Sequence, residues 1–101
     1  MSSAEQDLSR ATRERGVEAI ILLKVETAKA DEIGAALSTF KQIQHVWLVT
    51  GEDDLVLKAR FGTYNELKDF IVKALAPLEG VEDTKTMMVV STYKENGHHA
   101  G

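Results

Sequence analysis

The chain contains no cysteine among its 101 residues, so neither disulfides nor thiolate chemistry is available to it. Clustered basic residues are also missing. With 12 Lys and Arg against 16 Asp and Glu the net charge is −4, which argues against nonspecific nucleic-acid binding. The longest apolar run, Ala19 to Leu23, falls far short of the roughly 20 residues that span a bilayer. No apolar signal-peptide segment follows the first methionine, and a cytoplasmic address is the default expectation. Nucleophile elbows, Walker A loops, paired metal histidines and glycine-rich dinucleotide turns are absent, and no catalytic constellation is visible. No cofactor is implied.

What is present suits one small globular domain. Hydrophobic residues make up 44% and charged residues 28%, an ordinary balance. A chain of this length buries roughly 65% of the surface its unfolded form exposes. Residues 1–16 are polar and mixed in charge, and read as a flexible or loosely helical tail. Residues 17–95 carry the domain, and 96–101 read as a second loose tail, with Glu95 at its border.

From Val17 the pattern alternates. Val17, Ala19, Ile21, Leu23 and Val25 form one apolar face of a strand, and Ile20 and Leu22 make the middle of the other face apolar too. A strand apolar on both faces is covered on both sides. Thr27 is placed to cap a helix whose core face is Ile33, Ala36, Leu37 and Phe40, with Asp31 and Glu32 near its first turn. Gly34 weakens that helix, and close packing on the sheet would explain it. Ile43 to Thr50 reads as a second strand, with Val46 and Leu48 on one face and Ile43, His45, Trp47 and Val49 on the other. A Gly-acidic turn at Gly51 joins it to a third strand with Leu55, Leu57, Ala59 and Phe61 opposite Val56, Lys58 and Arg60. Thr63 and Glu66 make a capping box for a second helix that presents Leu67, Phe70, Ile71, Ala74, Leu75 and Leu78 and stops at Pro77. A last strand runs from Val81 to Tyr93.

The order β-α-β-β-α-β predicts an α+β, ferredoxin-like fold: one four-stranded antiparallel sheet with both helices on one face. Strands one and three take the centre, two and four the edges. The uncovered face would carry Ile20, Leu22, Val56, Met88 and Val90, an apolar patch that predicts a homodimer of facing sheets. That is the dimeric α+β barrel arrangement.

Candidate site residues are few. Glu52, Asp53 and Asp54 are oxygen ligands in principle, but consecutive turn carboxylates do not converge on one ion, so no metal site is assigned. Asp54 differs from its neighbours because it opens the third strand among apolar residues, where it could accept a ligand's ammonium group. Thr84 and Thr86 share one face of the last strand. They suit either a small polar ligand or plain β-branched strand packing. His45 lacks a catalytic partner, His98 and His99 sit in the tail, and Met87 and Met88 are packing residues.

Taken together, HVWLVTGEDDLVLKARF and NELKDFIVKALAPLEGVEDTKTMMVVSTYKE resemble the ligand-sensing domain of the Lrp/AsnC transcription regulators, called RAM for regulation of amino acid metabolism. The most specific pieces are the Thr-Gly-Glu-x-Asp turn at 50–54 and the Leu-x-Gly-Val-Glu-x-Thr-x-Thr run at 78–86. With only a polar segment before the first strand, the chain looks like a stand-alone RAM protein without the helix-turn-helix. The resemblance implies dimers through facing sheets, an octamer of four dimers, and amino-acid effectors in clefts between dimers. By position it places Gly51, Asp54, Thr84 and Thr86 in that cleft, with Asp54 on the effector's amino group and the threonines on its carboxylate. Asp53 departs from the aromatic or histidine the family often carries there, which would either disfavour anionic effectors or mark a site that has drifted from amino-acid binding altogether.

Three functions follow as expectations. The first is an oligomeric sensor of an amino acid or related metabolite that modulates transcription by assembling with a full-length Lrp/AsnC regulator. The second is an interaction-only oligomer partner without ligand. The third is a small enzyme of the dimeric α+β barrel type, for which His45 is the sole candidate.

Overall fold

Apolar residues at every second position set the architecture. In the computed structural model, which describes residues 16–51 and 54–99, β1 (Val17–Val25) buries Val17, Ala19, Ile21, Leu23 and Val25 and leaves the residues between them half-buried or exposed. In β3 (Leu55–Phe61) the residues Leu55, Leu57, Ala59 and Phe61 repeat the pattern. These two strands pair antiparallel at the centre of a four-stranded sheet. β2 (Ile43–Leu48) lies outside β3, and β4 (Val81–Met88) outside β1, giving the order β2-β3-β1-β4. The α+β, ferredoxin-like arrangement expected from the sequence is the one observed.

Both helices cover the face that carries the buried residues. A 3-10 turn (Thr27–Lys29) leads into α1 (Ala30–Leu37), which buries Ala30, Ile33 and Leu37. Thr27 does not cap it: Glu26 holds the position before the turn, and no side chain caps either segment. Ala36, expected on the core face, is exposed. The second helix, α2 (Tyr64–Phe70), does start on its expected box. Thr63 Oγ1 accepts the Glu66 N–H at 3.2 Å, and Glu66 Oε2 accepts the Gly62 N–H at 2.8 Å. Beyond Phe70 the helix widens into a π turn (Ile71–Leu75), closed by the Ala76 N–H on the Ile71 carbonyl at 2.9 Å. Pro77 follows directly. It brings no N–H to continue the α ladder, and its ring disfavours the carbonyl four residues back, so the last turn widens.

Phe70 meets Phe40 edge-on with ring centres 5.1 Å apart and Phe61 at 5.2 Å, joining α2, β3 and the connection that follows α1. No polar or charged residue is buried among the described residues. None of the described helices is long and apolar enough to cross a membrane.

Two faces differ from the sequence reading. In β2, pairing steps from Ile43↔Ala59 to His45↔Lys58, so a bulge at Gln44 returns Ile43 to the core face with Val46 and Leu48. In β4, Met88 pairs with Ala19 and therefore faces the helices, while Met87 opposite Ile20 takes the open face. Val90 lies beyond the strand's end. The expected phase is off by one residue there, which exchanges the two faces of a strand.

β4 also ends earlier than expected. After it the chain turns back through a short hairpin, β5 (Lys94–Glu95) with β6 (His98–His99), where a loose tail was expected. Asn96 and Gly97 form its turn at φ +51° and +77°, the backbone that this residue pair favours. The N-terminal tail read over 1–16 falls, but for Gly16, outside the described residues, as do Glu52 and Asp53.

Candidate functional site

The four candidate residues lie at two strands flanking β1. Gly51 stands in the β2–β3 turn at φ +132°, a conformation that a side chain would strain. The turn is closed by the Val49 N–H on the Asp54 carbonyl at 2.9 Å. Asp54 is then bonded twice more to β1. Its N–H donates to the Leu23 carbonyl at 2.9 Å, and its Oδ2 accepts the Val25 N–H at 2.9 Å. A carboxylate there extends the ladder where strand pairing stops. Asp54 is thus a structural residue first, with one oxygen engaged by the backbone.

Thr84 and Thr86 sit across β1, opposite Leu23 and Ile21. Thr84 is half-buried, and its N–H donates to Asp83 Oδ1 at 3.0 Å. Thr86 is exposed. Adjacent strands lie about 4.8 Å apart, so Asp54 and Thr84 are separated by the width of β1, about 10 Å between backbones. One chain brings Gly51 to Asp54 and Thr84 to Thr86, but it does not join the two pairs around one small ligand.

Thr86 lines a groove the sequence did not signal. Tyr64, Leu67, Lys68, Ile71 and Val72 form its helical wall, Thr86 and Met88 its strand wall, around about 240 Å³. The π turn begins at Ile71, on this groove. The groove was illegible because it depends on which face Met88 takes.

The open sheet face is the second surface. Ile20, Leu22, Val56, Trp47 and Met87 form its apolar centre: Trp47 pairs with Val56, Val56 with Leu22, and Ile20 with Met87. Trp47 remains 45% exposed and stacks on His45, with ring centres 4.9 Å apart and planes 5° from parallel. Charges border the patch as pairs, Arg60 with Glu18 and Lys58 with Glu95 at 2.8 Å. The second pair ties the C-terminal hairpin to β3. Beneath the hairpin, Ile20, His45, Trp47, Lys58 and Val89 help to line a cavity of about 360 Å³. No group of three or more histidine, aspartate or glutamate residues could hold a metal ion among the described residues.

Comparison with known families decides the assignment. The model of the Lrp/AsnC ligand binding domain matches residues 18–98. The chain belongs to the Lrp/AsnC ligand-binding domain family. Among curated relatives, the HTH-type transcriptional regulator FL11 of Pyrococcus horikoshii is 38% identical over 77 residues, covering 76% of this chain and 50% of that protein. This Lrp/AsnC domain thus spans about half the length of the curated relatives it matches. The crystal structure of TTHA0845 from Thermus thermophilus is similar over 78% of this chain and 99% of its own, at 30% identity and a TM-score of 0.73. The complex of the Neisseria meningitidis transcriptional regulator NMB0573 with L-Met is similar over 94% of this chain and 58% of its own, at 25% identity and a TM-score of 0.74. The Lrp/AsnC family is regulatory.

Proposed function

We propose that this Lrp/AsnC domain is an oligomeric effector sensor. It binds an amino acid or related small metabolite in clefts between dimers and modulates transcription in the cytoplasm through protein contacts with Lrp/AsnC-type regulators. The observation that carries the reading is the extent of the family match, which is confined to the ligand-binding part of proteins named as regulators. An L-Met complex of a similar regulator points the ligand class the same way.

The geometry supports a cleft built from more than one chain. Asp54 supplies a carboxylate on one side of β1 and Thr84 and Thr86 hydroxyls on the other, so a small zwitterion held by all of them needs a second subunit to bridge the gap. The open sheet face supplies the dimer, because its apolar centre is half-exposed in a single chain. The interaction-only reading draws on one fact: an oxygen of Asp54 is already held by Val25.

A thermal-shift series against the individual amino acids separates the two. Ligand at about a hundred times its Kd adds roughly 2.7 kcal/mol, a rise of several degrees for a domain this size. A selective rise establishes the sensor and its ligand class. Flat melting curves with every amino acid would replace it by the interaction-only partner.

A further inference from the structure

We propose that the groove between α2 and β4 receives the N-terminal segment of this same chain, with residues 4–11 docking as a short amphipathic helix. The groove is apolar and open. Leu67, Ile71, Val72, Thr86 and Met88 line it, with Tyr64 and Lys68 on the helical wall. Tyr64, Val72 and Met88 are all exposed, an apolar strip that calls for a cover.

The place where the described chain starts points to the occupant. Gly16 lies against the end of β3, where a Cβ would stand 2.3 Å from the Phe61 carbonyl oxygen. Only Gly62 and Thr63 separate Phe61 from Tyr64, the first residue of α2. On the other wall, Met88 pairs with Ala19 near the start of β1. Tyr64 and Met88 thus flank the point where residues 1–15 join the domain, and the segment enters the groove at that end.

Its sequence fits the groove in pattern, length and charge. Ala4, Leu8 and Ala11 recur at i, i+4, i+7, with Met1 one turn earlier, which makes one apolar stripe on a helix. Ser2 and Glu5 have the spacing of a capping box at its start. On the helical wheel Glu5 and Asp7 flank the stripe, one on each side, and Arg10 and Arg13 fall on the far side. Lys68 is exposed and forms no ion pair among the described residues, so either flank brings it a carboxylate. As helices, Ala4 to Ala11 rises about 10 Å and Tyr64 to Val72 about 12 Å, so stripe and wall match. Thr12 to Arg15 remain as a tether of up to about 14 Å.

Entering at Tyr64, the docked helix runs antiparallel to α2. It sets Ala11 beside Tyr64, Leu8 beside Leu67 and Met88, and Ala4 beside Ile71. The alanines let the two helices approach closely, and Leu8 is the single large anchor. A helix this short does not hold in water alone, so its order depends on the groove. Thr86 lines the groove, and the docked segment covers its hydroxyl. This contact lies within one chain, goes beyond the sensor reading and needs no effector.

Amide hydrogen exchange on the full chain, without any amino acid, tests it. Amides of residues 4–11 should exchange at least about tenfold more slowly than those of an unstructured chain. Leu8→Asp should return them to the unprotected rate while β1 and β3 keep theirs. Val72→Glu should do the same from the groove side, since Val72 is exposed and its replacement spares the core. Unprotected amides at 4–11 in the unaltered chain overturn the proposal, as does protection that survives Val72→Glu. The absence of cysteine permits a second measurement. Leu8→Cys with Met88→Cys should close an intrachain disulfide under mild oxidation. Ser9→Cys with Met88→Cys should not, because Ser9 lies about a third of a turn off the stripe. Equal cross-linking of the two pairs overturns the helical face, and a cross-link between two copies overturns docking within one chain. If Val72→Glu unfolds the chain, the cysteine pairs decide alone. A flat amino-acid screen leaves all these outcomes readable, so failure of the sensor reading is distinct from failure of the docked segment.

Discussion

Asp54 Oδ2 accepts the backbone N–H of Val25 at 2.9 Å, so the residue best placed by sequence for a ligand's amine is also a fastener between β3 and the end of β1. The two roles separate by substitution. Asp54→Ala leaves the Val25 N–H without its partner and should cost about 1–3 kcal/mol in denaturant melts. Asp54→Asn keeps an acceptor oxygen and should melt close to wild type while losing the amino-acid-dependent shift. An asparagine variant that still responds to effector fully would remove Asp54 from the site.

The facing-sheet dimer depends on the open face. Leu22→Glu puts a charge at its centre, next to Val56 and Lys85, without touching the helix-covered core. Circular dichroism should be unchanged, while the facing-sheet contact should be lost in light scattering. Unaltered mass at micromolar concentration would rule this face out as the interface.

Two glycines should respond in opposite directions. A Cβ at Gly34 would lie 3.8 Å from Leu55 Cδ2, an ordinary contact, so Gly34→Ala should stabilise by about 0.5–1 kcal/mol and raise Tm by a few degrees. At Gly80 φ is +97° and a Cβ would come within 3.0 Å of Ile33 Cδ1 and Lys29 Cδ. Gly80→Ala should therefore destabilise, by about 1–3 kcal/mol. Equal melting of the two variants would contradict this.

A surface pair gives a defined pH response. Lys29 Nζ lies 2.7 Å from Glu79 Oε1, and this hydrogen bond, with the accompanying charge attraction, raises the Lys29 pKa above 10.5 and lowers that of Glu79 below 4.5. The Glu79 contribution is present above pH 4.5 and is lost as pH falls through its lowered folded value. The Lys29 contribution is present below pH 10.5 and is lost as pH rises through its raised value. Glu79→Gln should melt slightly below wild type at neutral pH, with the gap closing at both extremes and in high salt. A gap constant across pH would mean that the pair contributes through packing alone.

The central strands were readable because β1 and β3 keep strict alternation and pack on one helix layer, so a period of two suffices to place each side chain. The edge strands were not. In β2 an extra residue at Gln44 resets the alternation, and no residue type marks it. In β4 a run of threonines and methionines fits either phase, and only pairing with β1 shows that Thr84, Thr86 and Met88 share the helix side. The capping box at Thr63 and Glu66 was legible because it is local. Asp54 was legible as unusual, but its bond to Val25 spans 29 residues of sequence and follows from topology alone. For the same reason the groove at Ile71 and Thr86 needed the folded chain.

The chain has a single tryptophan, and it stands on the open face against an imidazole. Its emission is therefore an intrinsic optical probe of that surface. Burial of Trp47 by a second sheet moves the spectrum to the blue. Titrations of concentration can be followed on the unlabelled protein, with no competing indole elsewhere to obscure the signal.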